Sequence, residues 1–314
     1  MAKVSFDVKE KSLKNIRKKF QENGVFYSSS ELALKLKSLL PNNGEDATEI
    51  YDPTCGGGSL LSVFPDCVKK YGQELDENQA EYCTENLKNA EIVAGDTLEA
   101  PAFIDKKFKY IIANPPFSVK WKQKPEDARF KVAPALAPAN KADFAFILHC
   151  LSYLTDDGTA VILGSHGPLF RSGAEGKIRQ WLIEQNYIDK IVSFGPGYFE
   201  DTNVATVAMV LKKHRDTTDV TFEDTVVGEG RVVKLDEIIN HSFSLAINLY
   251  IKAEEDSFNF VDPMVQMAEF RDGLSEMIVV ALECEKMLEN GCHPAVFNLK
   301  KLKQQLHAAI DSVE

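Results

Sequence analysis

Apolar residues along the first quarter of the chain recur at helical spacing. Val8, Leu13, Ile16 and Phe20 mark one face of a helix over residues 8–22, and Gly24 stops it. Leu32, Leu36, Leu39 and Leu40 repeat the pattern over 28–40. Ser28, Ser29 and Ser30 are its N-cap candidates, and Pro41-Asn42-Asn43-Gly44 is the turn that follows. The period then switches to short apolar runs alternating with helical stretches. Seven strands are predicted, at Glu49–Asp52, Lys69–Glu74, Ile92–Gly95, Lys109–Ala113, Ala160–Leu163, Asp189–Phe194 and Ala205–Lys212. Helices are predicted at Asn78–Asn89, Asp143–Leu154 and Glu175–Gln185. This alternation implies an α/β fold with a mostly parallel sheet covered on both faces. Ligands of such sheets bind outside the carboxyl ends of the strands, so residues there carry extra weight.

Two stretches break the pattern. Residues 118–140 contain Pro125, Pro134 and Pro138 and have no clear period, which reads as a functional or disordered loop. After about residue 250 two helices are predicted, 263–289 and 296–312, divided by Gly291-Cys292-His293-Pro294. Leu299, Leu302, Leu306 and Ile310 form a stripe on the second. The stripe fits either a hairpin packed on its own domain or a docking surface for a partner. The domain reading is therefore a helical arm at 1–24, a catalytic domain at 25–252 and a helical hairpin at 253–314.

Hydrophobic residues are 44% and charged residues 26% of the 314, a globular balance that excludes wholesale disorder. No run reaches the length of a membrane span and the polar N-terminus has no signal-peptide core, so no membrane association and a cytoplasmic location are expected. Cysteines at 55, 67, 83, 150, 284 and 292 form no Cys-x-x-Cys, and His-Glu-x-x-His is absent. A zinc site has no support, and free thiols are expected. The net charge of −11 is uneven. Residues 1–24 hold seven Lys or Arg against three Asp or Glu, a net of +4, which leaves −15 on the remainder. Such a body repels phosphate at long range and argues against this chain alone gripping a nucleic-acid backbone.

Four signals carry chemistry. Asp52-Pro53-Thr54-Cys55-Gly56-Gly57-Gly58-Ser59 follows a strand and opens toward a helix. Its glycines permit a sharp turn and close approach of a ligand to the backbone. Dinucleotide enzymes and nucleotide kinases also have such turns, but this one matches neither Gly-x-Gly-x-x-Gly nor a P-loop, and no lysine follows to hold a phosphate. Glu74, followed by Leu75 and Asp76, ends the second strand, where a carboxylate can accept from both hydroxyls of a ribose. Gly95-Asp96-Thr97-Leu98 follows the third strand. Asp96 there suits an adenine amino group or, equally, a turn. Asn114-Pro115-Pro116-Phe117 directly follows Tyr110-Ile111-Ile112-Ala113. Two prolines fix the backbone and remove two donors. What remains is an acceptor corner, the Asn114 amide oxygen and the Pro115 carbonyl, with an aromatic ring beside it. It suits a planar group bearing an –NH₂.

The ordered set Phe26-Tyr27, Asp52-Pro53-Thr54-Cys55-Gly56, Glu74, Gly95-Asp96-Thr97-Leu98 and Asn114-Pro115-Pro116-Phe117 resembles the amino-group DNA adenine methyltransferases. Above all it resembles the modification subunit of type I restriction-modification systems. Further matches are Asp143–Leu154, Gly167-Pro168-Leu169-Phe170, Ile178-Arg179, Gly195-Pro196-Gly197-Tyr198-Phe199 before Thr202, and Ser244-Leu245 to Tyr250, so the resemblance covers roughly residues 20–252.

The resemblance implies a Rossmann-like methyltransferase fold with a seven-stranded, mostly parallel sheet. It also implies transfer of a methyl group from S-adenosyl-L-methionine to the 6-amino group of adenine in DNA. Val25, Phe26, Tyr27 and Ser28 would touch the cofactor. Asp52, Pro53, Thr54 and the Gly56-Gly57-Gly58-Ser59 loop would hold its amino-acid part, Glu74 and Leu75 its ribose side, and Asp96 and Thr97 its adenine. Asn114, Pro115, Pro116 and Phe117 would hold the target base, with Asn114 also facing the cofactor. The family has Thr-Pro where this chain has Ser28-Ser29, and a long helical domain where only about 25 residues stand here, so the chain reads as a shortened modification subunit or as one of which part is absent.

The 64 residues after Tyr250 are acidic and offer no room for a target-reading domain. A DNA-specificity subunit, and with it a restriction (nuclease/translocase) subunit, are the implied partners. In the 118–140 loop, Lys120, Trp121, Lys122, Lys124, Arg129 and Lys131 would close over DNA once a partner has placed it. An enzyme acting on protein glutamine or RNA, and a silent scaffold subunit, are the competing readings.

Overall fold

The computed structural model describes residues 29–195 and 205–251. The arm at 1–24, the helix at 8–22, residues Val25 to Ser28, the Pro196–Phe199 stretch with Thr202, and both helices of 263–312 lie outside the described residues.

Helix α1 spans Ser30–Ser38. Of the three candidate serines, Ser29 caps it, its hydroxyl accepting from the Leu32 amide at 3.2 Å. The turn at Pro41–Gly44 places Asn42 and Asn43 at φ 49° and 53°, a left-handed conformation that asparagine tolerates. Strands β1 (Glu49–Asp52) and β2 (Lys69–Glu74), helix α2 (Glu77–Asn86), and strands β3 (Ala90–Ala94) and β4 (Phe108–Ala113) follow. Then come a short helix α3 (Ala128–Lys131), helix α4 (Asp143–Tyr153), strand β5 (Leu154–Gly164), the turn-length α5 (Gly167–Phe170) and α6 (Ala174–Glu184). Strands β6 (Ile188–Phe194), β7 (Thr206–Lys212), β8 (Val220–Asp224) and β9 (Glu229–Val233) precede α7 (Leu235–Asn240).

Among the described residues the sheet has nine strands rather than seven, in the order β3-β2-β1-β4-β5-β7-β6-β8-β9. Pairing is parallel from β3 through β5 and between β6 and β8. It is antiparallel where β7 sits between β5 and β6, and at β8–β9. The added pair reads as polar in sequence. Only Val220 and Phe222 of β8 point into the core, and the edge strand β9 is exposed apart from Val233. The two half-sheets diverge at β1 and β4, and the crevice at such a switch point is where parallel sheets bind ligands.

Both faces of the central strands are apolar. On β5, Ala160 and Ile162 enter one core layer, and Val161 and Leu163 the other. Helix α4 is buried at ten of its eleven positions, which explains why its sequence is apolar all round. Helix α1 covers the opposite face through Leu32, Ala33 and Leu36. No helix among the described residues is long and apolar enough to cross a membrane.

Residues 118–140 are an ordered segment, not a free loop. The Trp121 indole donates to the Pro138 carbonyl at 3.0 Å, and its ring meets the buried Phe130 edge-on at 5.0 Å. Arg129, expected to face DNA, is buried instead. It donates to the carbonyls of Thr97 and Leu98, each at 2.8 Å, and pairs with Asp127 at 2.6 Å. It also donates to Nδ1 of His149 at 2.9 Å. Burial holds the fully enclosed His149 well below its ordinary value, so the ring is neutral. An arginine cannot accept, so the proton sits on Nε2 and is donated to the Tyr51 hydroxyl, 3.1 Å away. Arg129 thus ties the segment to the loop after β3 and, through His149, to β1.

Candidate active site

The carboxyl ends of β1, β2, β3 and β4 converge on one cavity of about 500 Å³. Asp52 closes β1. Its side chain is 1% exposed, and one oxygen accepts from the Thr54 amide at 2.9 Å. Burial pushes its carboxyl up to about 7, the Glu74 charge adds to the rise, and the Thr54 hydrogen bond opposes it. A buried acid with such a value is half-charged at neutrality and responds to any cation placed beside it.

The chain then turns through Gly56 (φ 52°) and Gly58 (φ 85°), conformations open to glycine at little cost. At Gly58 space demands glycine as well, because a Cβ would come within 2.8 Å of Cys83 Sγ and Leu87 Cδ1. Glu74, at the end of β2, braces this turn from the other side. Its Oε2 accepts from the Gly56 amide at 2.8 Å and its Oε1 from the Asp76 amide at 2.9 Å. Burial raises its pKa, and these two amides partly offset the effect. Asp76 caps α2, accepting from the amides of Asn78 and Gln79.

After β3, Asp96 accepts from the amides of Leu98 (2.8 Å) and Glu99 (3.0 Å), the turn role that competed with ligand binding in the sequence. The buried Thr97 hydroxyl donates to the Pro53 carbonyl and joins this loop to the glycine turn. After β4, Asn114, Pro116 and Phe117 are half-buried and Pro115 is buried.

Fourteen of the residues expected from sequence to hold the cofactor or the target base line this cavity: Asp52, Pro53, Thr54, Gly56, Gly57, Ser59, Glu74, Leu75, Asp96, Thr97, Asn114, Pro115, Pro116 and Phe117. Gly58 shapes the turn without lining it. Leu75 is 69% exposed at the mouth. Val25, Phe26, Tyr27 and Ser28 lie outside the described residues. The cavity also takes in Lys120 and Trp121, which the sequence marked as candidates for DNA contact, and Gln79, Val119 and Phe146, which sequence reasoning missed. Gln79 and Phe146 carry no signal, being ordinary positions in helices. Among the described residues of the lining, Asp52, Glu74, Asp76 and Asp96 stand against one lysine, Lys120, so the lining favours hydroxyl and cationic groups over phosphates.

A family model described as N-6 DNA Methylase matches residues 6–231. The chain is 32% identical over 230 residues to the type I restriction enzyme MpnII methylase subunit of Mycoplasma pneumoniae, a match covering 64% of this chain and 42% of that one. It is 25% identical over 311 residues to the MjaVII methylase subunit of Methanocaldococcus jannaschii, covering 80% and 53%. The chain therefore spans about half the length of these curated relatives. Among solved structures, the type I restriction-modification methyltransferase subunit from Streptococcus thermophilus superposes with a TM-score of 0.66 at 29% identity, covering 72% of this chain and 59% of that one. The fold is that of this methyltransferase subunit, with the α/β character expected from the alternating pattern. Because the model match takes in every strand from β1 to β8 and the whole cavity lining, the chain belongs to the N-6 DNA methylase family.

Proposed function

We propose that the chain transfers a methyl group from S-adenosyl-L-methionine to the 6-amino group of adenine in DNA, as the modification subunit of a type I restriction-modification complex. The observation that carries this reading is the meeting, in one cavity, of the acidic glycine turn and the Asn114-Pro115-Pro116-Phe117 corner. The cofactor fits the lining. A cavity of about 500 Å³ suits a nucleoside with an amino-acid arm, and its carboxylates suit an ammonium, a sulfonium and ribose hydroxyls. When bound, the cofactor supplies an electrophilic methyl on a sulfonium that departs as a neutral thioether.

The residues would then divide the work as follows. Asp52 and the Gly56–Ser59 turn hold the amino-acid part. Glu74 accepts from the ribose hydroxyls, with Leu75 beside it. Asp96 and Thr97 border the cofactor's adenine, and Val25, Phe26, Tyr27 and Ser28 complete the contact set. Asn114 Oδ1 and the Pro115 carbonyl accept the two hydrogens of the target amine, while Phe117 stacks on its ring. The adenine lone pair is delocalised into the ring. Two such acceptors would favour a tetrahedral nitrogen with a localised lone pair; the N–C bond would form as the S–C bond breaks, and the methylated amine would then lose one proton to water. The protein's contribution is position and fixed dipoles. The base must first leave the duplex stack.

The acidic body argues for assembly. With −15 outside the first 24 residues, long-range attraction to DNA must come from elsewhere, and a DNA-specificity subunit would supply both charge and sequence reading. The 253–314 hairpin, with its Leu299, Leu302, Leu306 and Ile310 stripe, is the proposed docking surface, and a restriction (nuclease/translocase) subunit would complete the complex in the cytoplasm. The test is transfer of labelled methyl from S-adenosylmethionine to duplex DNA, RNA or protein, by the chain with its specificity subunit. Label in DNA alone supports the reading. Label in RNA or protein, or cofactor binding without transfer, refutes it.

A further inference from the structure

Gln79 lies in the first turn of α2, one helical turn past the Asp76 cap, and lines the cavity. It is 3% exposed, and neither Oε1 nor Nε2 has a hydrogen-bond partner among the described residues. Buried carboxamides in proteins are almost always paired, so an orphan on a residue that lines a ligand cavity points to the ligand. Its neighbours narrow the choice. A Cβ on Gly56 would lie 3.4 Å from Gln79 Oε1, and the Gly56 amide is the group that Glu74 holds. Gln79, Gly56 and Glu74 therefore form one cluster.

The chemistry of the cluster is incomplete with Glu74 alone. A carboxylate only accepts hydrogen bonds, and two of its sites are already taken by backbone amides. A hydroxyl that donates to Glu74 still presents lone pairs that need a donor. A carboxamide supplies two N–H donors and one acceptor in a fixed plane. We propose that Gln79 is a further cofactor-positioning residue, its carboxamide donating to the ribose hydroxyls that Glu74 accepts from. The proposal rests on the cofactor reading of this cavity, and it adds a residue that selects for ribose over deoxyribose.

The test uses the full chain, calorimetry, and two probes, S-adenosylmethionine and its 2′-deoxyribose analogue. In the unmodified chain the analogue should bind about tenfold more weakly, the usual effect of leaving a buried donor unpaired. Gln79→Leu should weaken S-adenosylmethionine about tenfold and discriminate less against the analogue. The thermal midpoint of its ligand-free form should be unchanged or higher, because an unpaired buried amide is replaced by an apolar group. Gln79→Met, unbranched and of similar length, should behave alike. A readout without mutation is the Gln79 side-chain amide resonance, which should shift on saturation with S-adenosylmethionine. Failure of the unmodified chain to bind S-adenosylmethionine would overturn the cofactor reading itself. Normal binding by both variants, a loss of ligand-free stability without loss of affinity, or an unmoved resonance in a chain that does bind would overturn the role of Gln79 alone.

Discussion

Asp52 gives the most quantitative handle on the cavity. Its carboxyl is 1% exposed and pushed up to about 7 by burial, from an ordinary 3.8. If it holds the ammonium of the cofactor, binding requires the charged form. About a tenth of the sites are charged at pH 6 and about nine tenths at pH 8, so affinity for S-adenosylmethionine should rise about tenfold over that interval. Stability of the ligand-free chain should move the opposite way. The folded value lies above the unfolded one, so the contribution is complete below about pH 4 and is lost as the pH climbs through 7. A rise of about three units corresponds to at most about 4 kcal/mol. The assay is calorimetry at pH 6, 7 and 8 in two buffers of different ionisation enthalpy. Proton release should accompany binding near pH 7, and Asp52→Asn should flatten the profile. The same variant should melt above the unmodified chain at pH 8, with the gap closing toward pH 4. A flat profile in the unmodified chain, or an unchanged slope in Asp52→Asn, would refute the reasoning.

Gly58→Ala should cost about 2–4 kcal/mol of stability in denaturant titrations, through a positive φ and the collision with Cys83 and Leu87. Unchanged stability would mean that the turn relaxes freely. Arg129→Met should cost about 2–4 kcal/mol, since it strands the Thr97 and Leu98 carbonyls in the interior and takes the cation from the half-buried Asp127. Trp121 fluorescence during unfolding reads the loss, and a mild effect would show that the segment is held by its prolines and aromatics instead. Phe117→Ala should weaken capture of DNA carrying an unpaired target adenine by about 1–3 kcal/mol of stacking and leave cofactor affinity alone. A matching loss of cofactor affinity would move Phe117 to the other half of the cavity.

The parts of the site that read directly from sequence are those where the backbone itself is constrained. A glycine turn after a strand, and a Pro-Pro pair after another, leave few conformations, so Asp52–Ser59 and Asn114–Phe117 landed where the pattern placed them. The core was equally legible at β4, β5 and β7, whose buried stretches are short runs of apolar residues. What failed depended on tertiary context. β8 and β9 alternate weakly, with charged residues on an exposed edge, and leave little periodic signal. Arg129 looks like a phosphate ligand in a lysine-rich run. Only the folded chain reveals the two carbonyls and the neutral His149 that need its donors. Gln79 is a single polar letter in a helix, and its burial follows from how α2 packs beside the glycine turn.

The central claim joins a cofactor cavity to an amine-binding corner, and nucleoside mass spectrometry tests it most directly. DNA would be incubated with S-adenosylmethionine, the chain and the proposed specificity subunit, digested, and scanned for N6-methyladenine. The account requires N6-methyladenine from the unmodified chain. With Asn114→Ala it requires a fall of about 10²–10³ in rate, while calorimetric affinity for the cofactor stays near normal. Near-normal methylation by Asn114→Ala, or methyl groups found on cytosine or nowhere in the DNA, would contradict it.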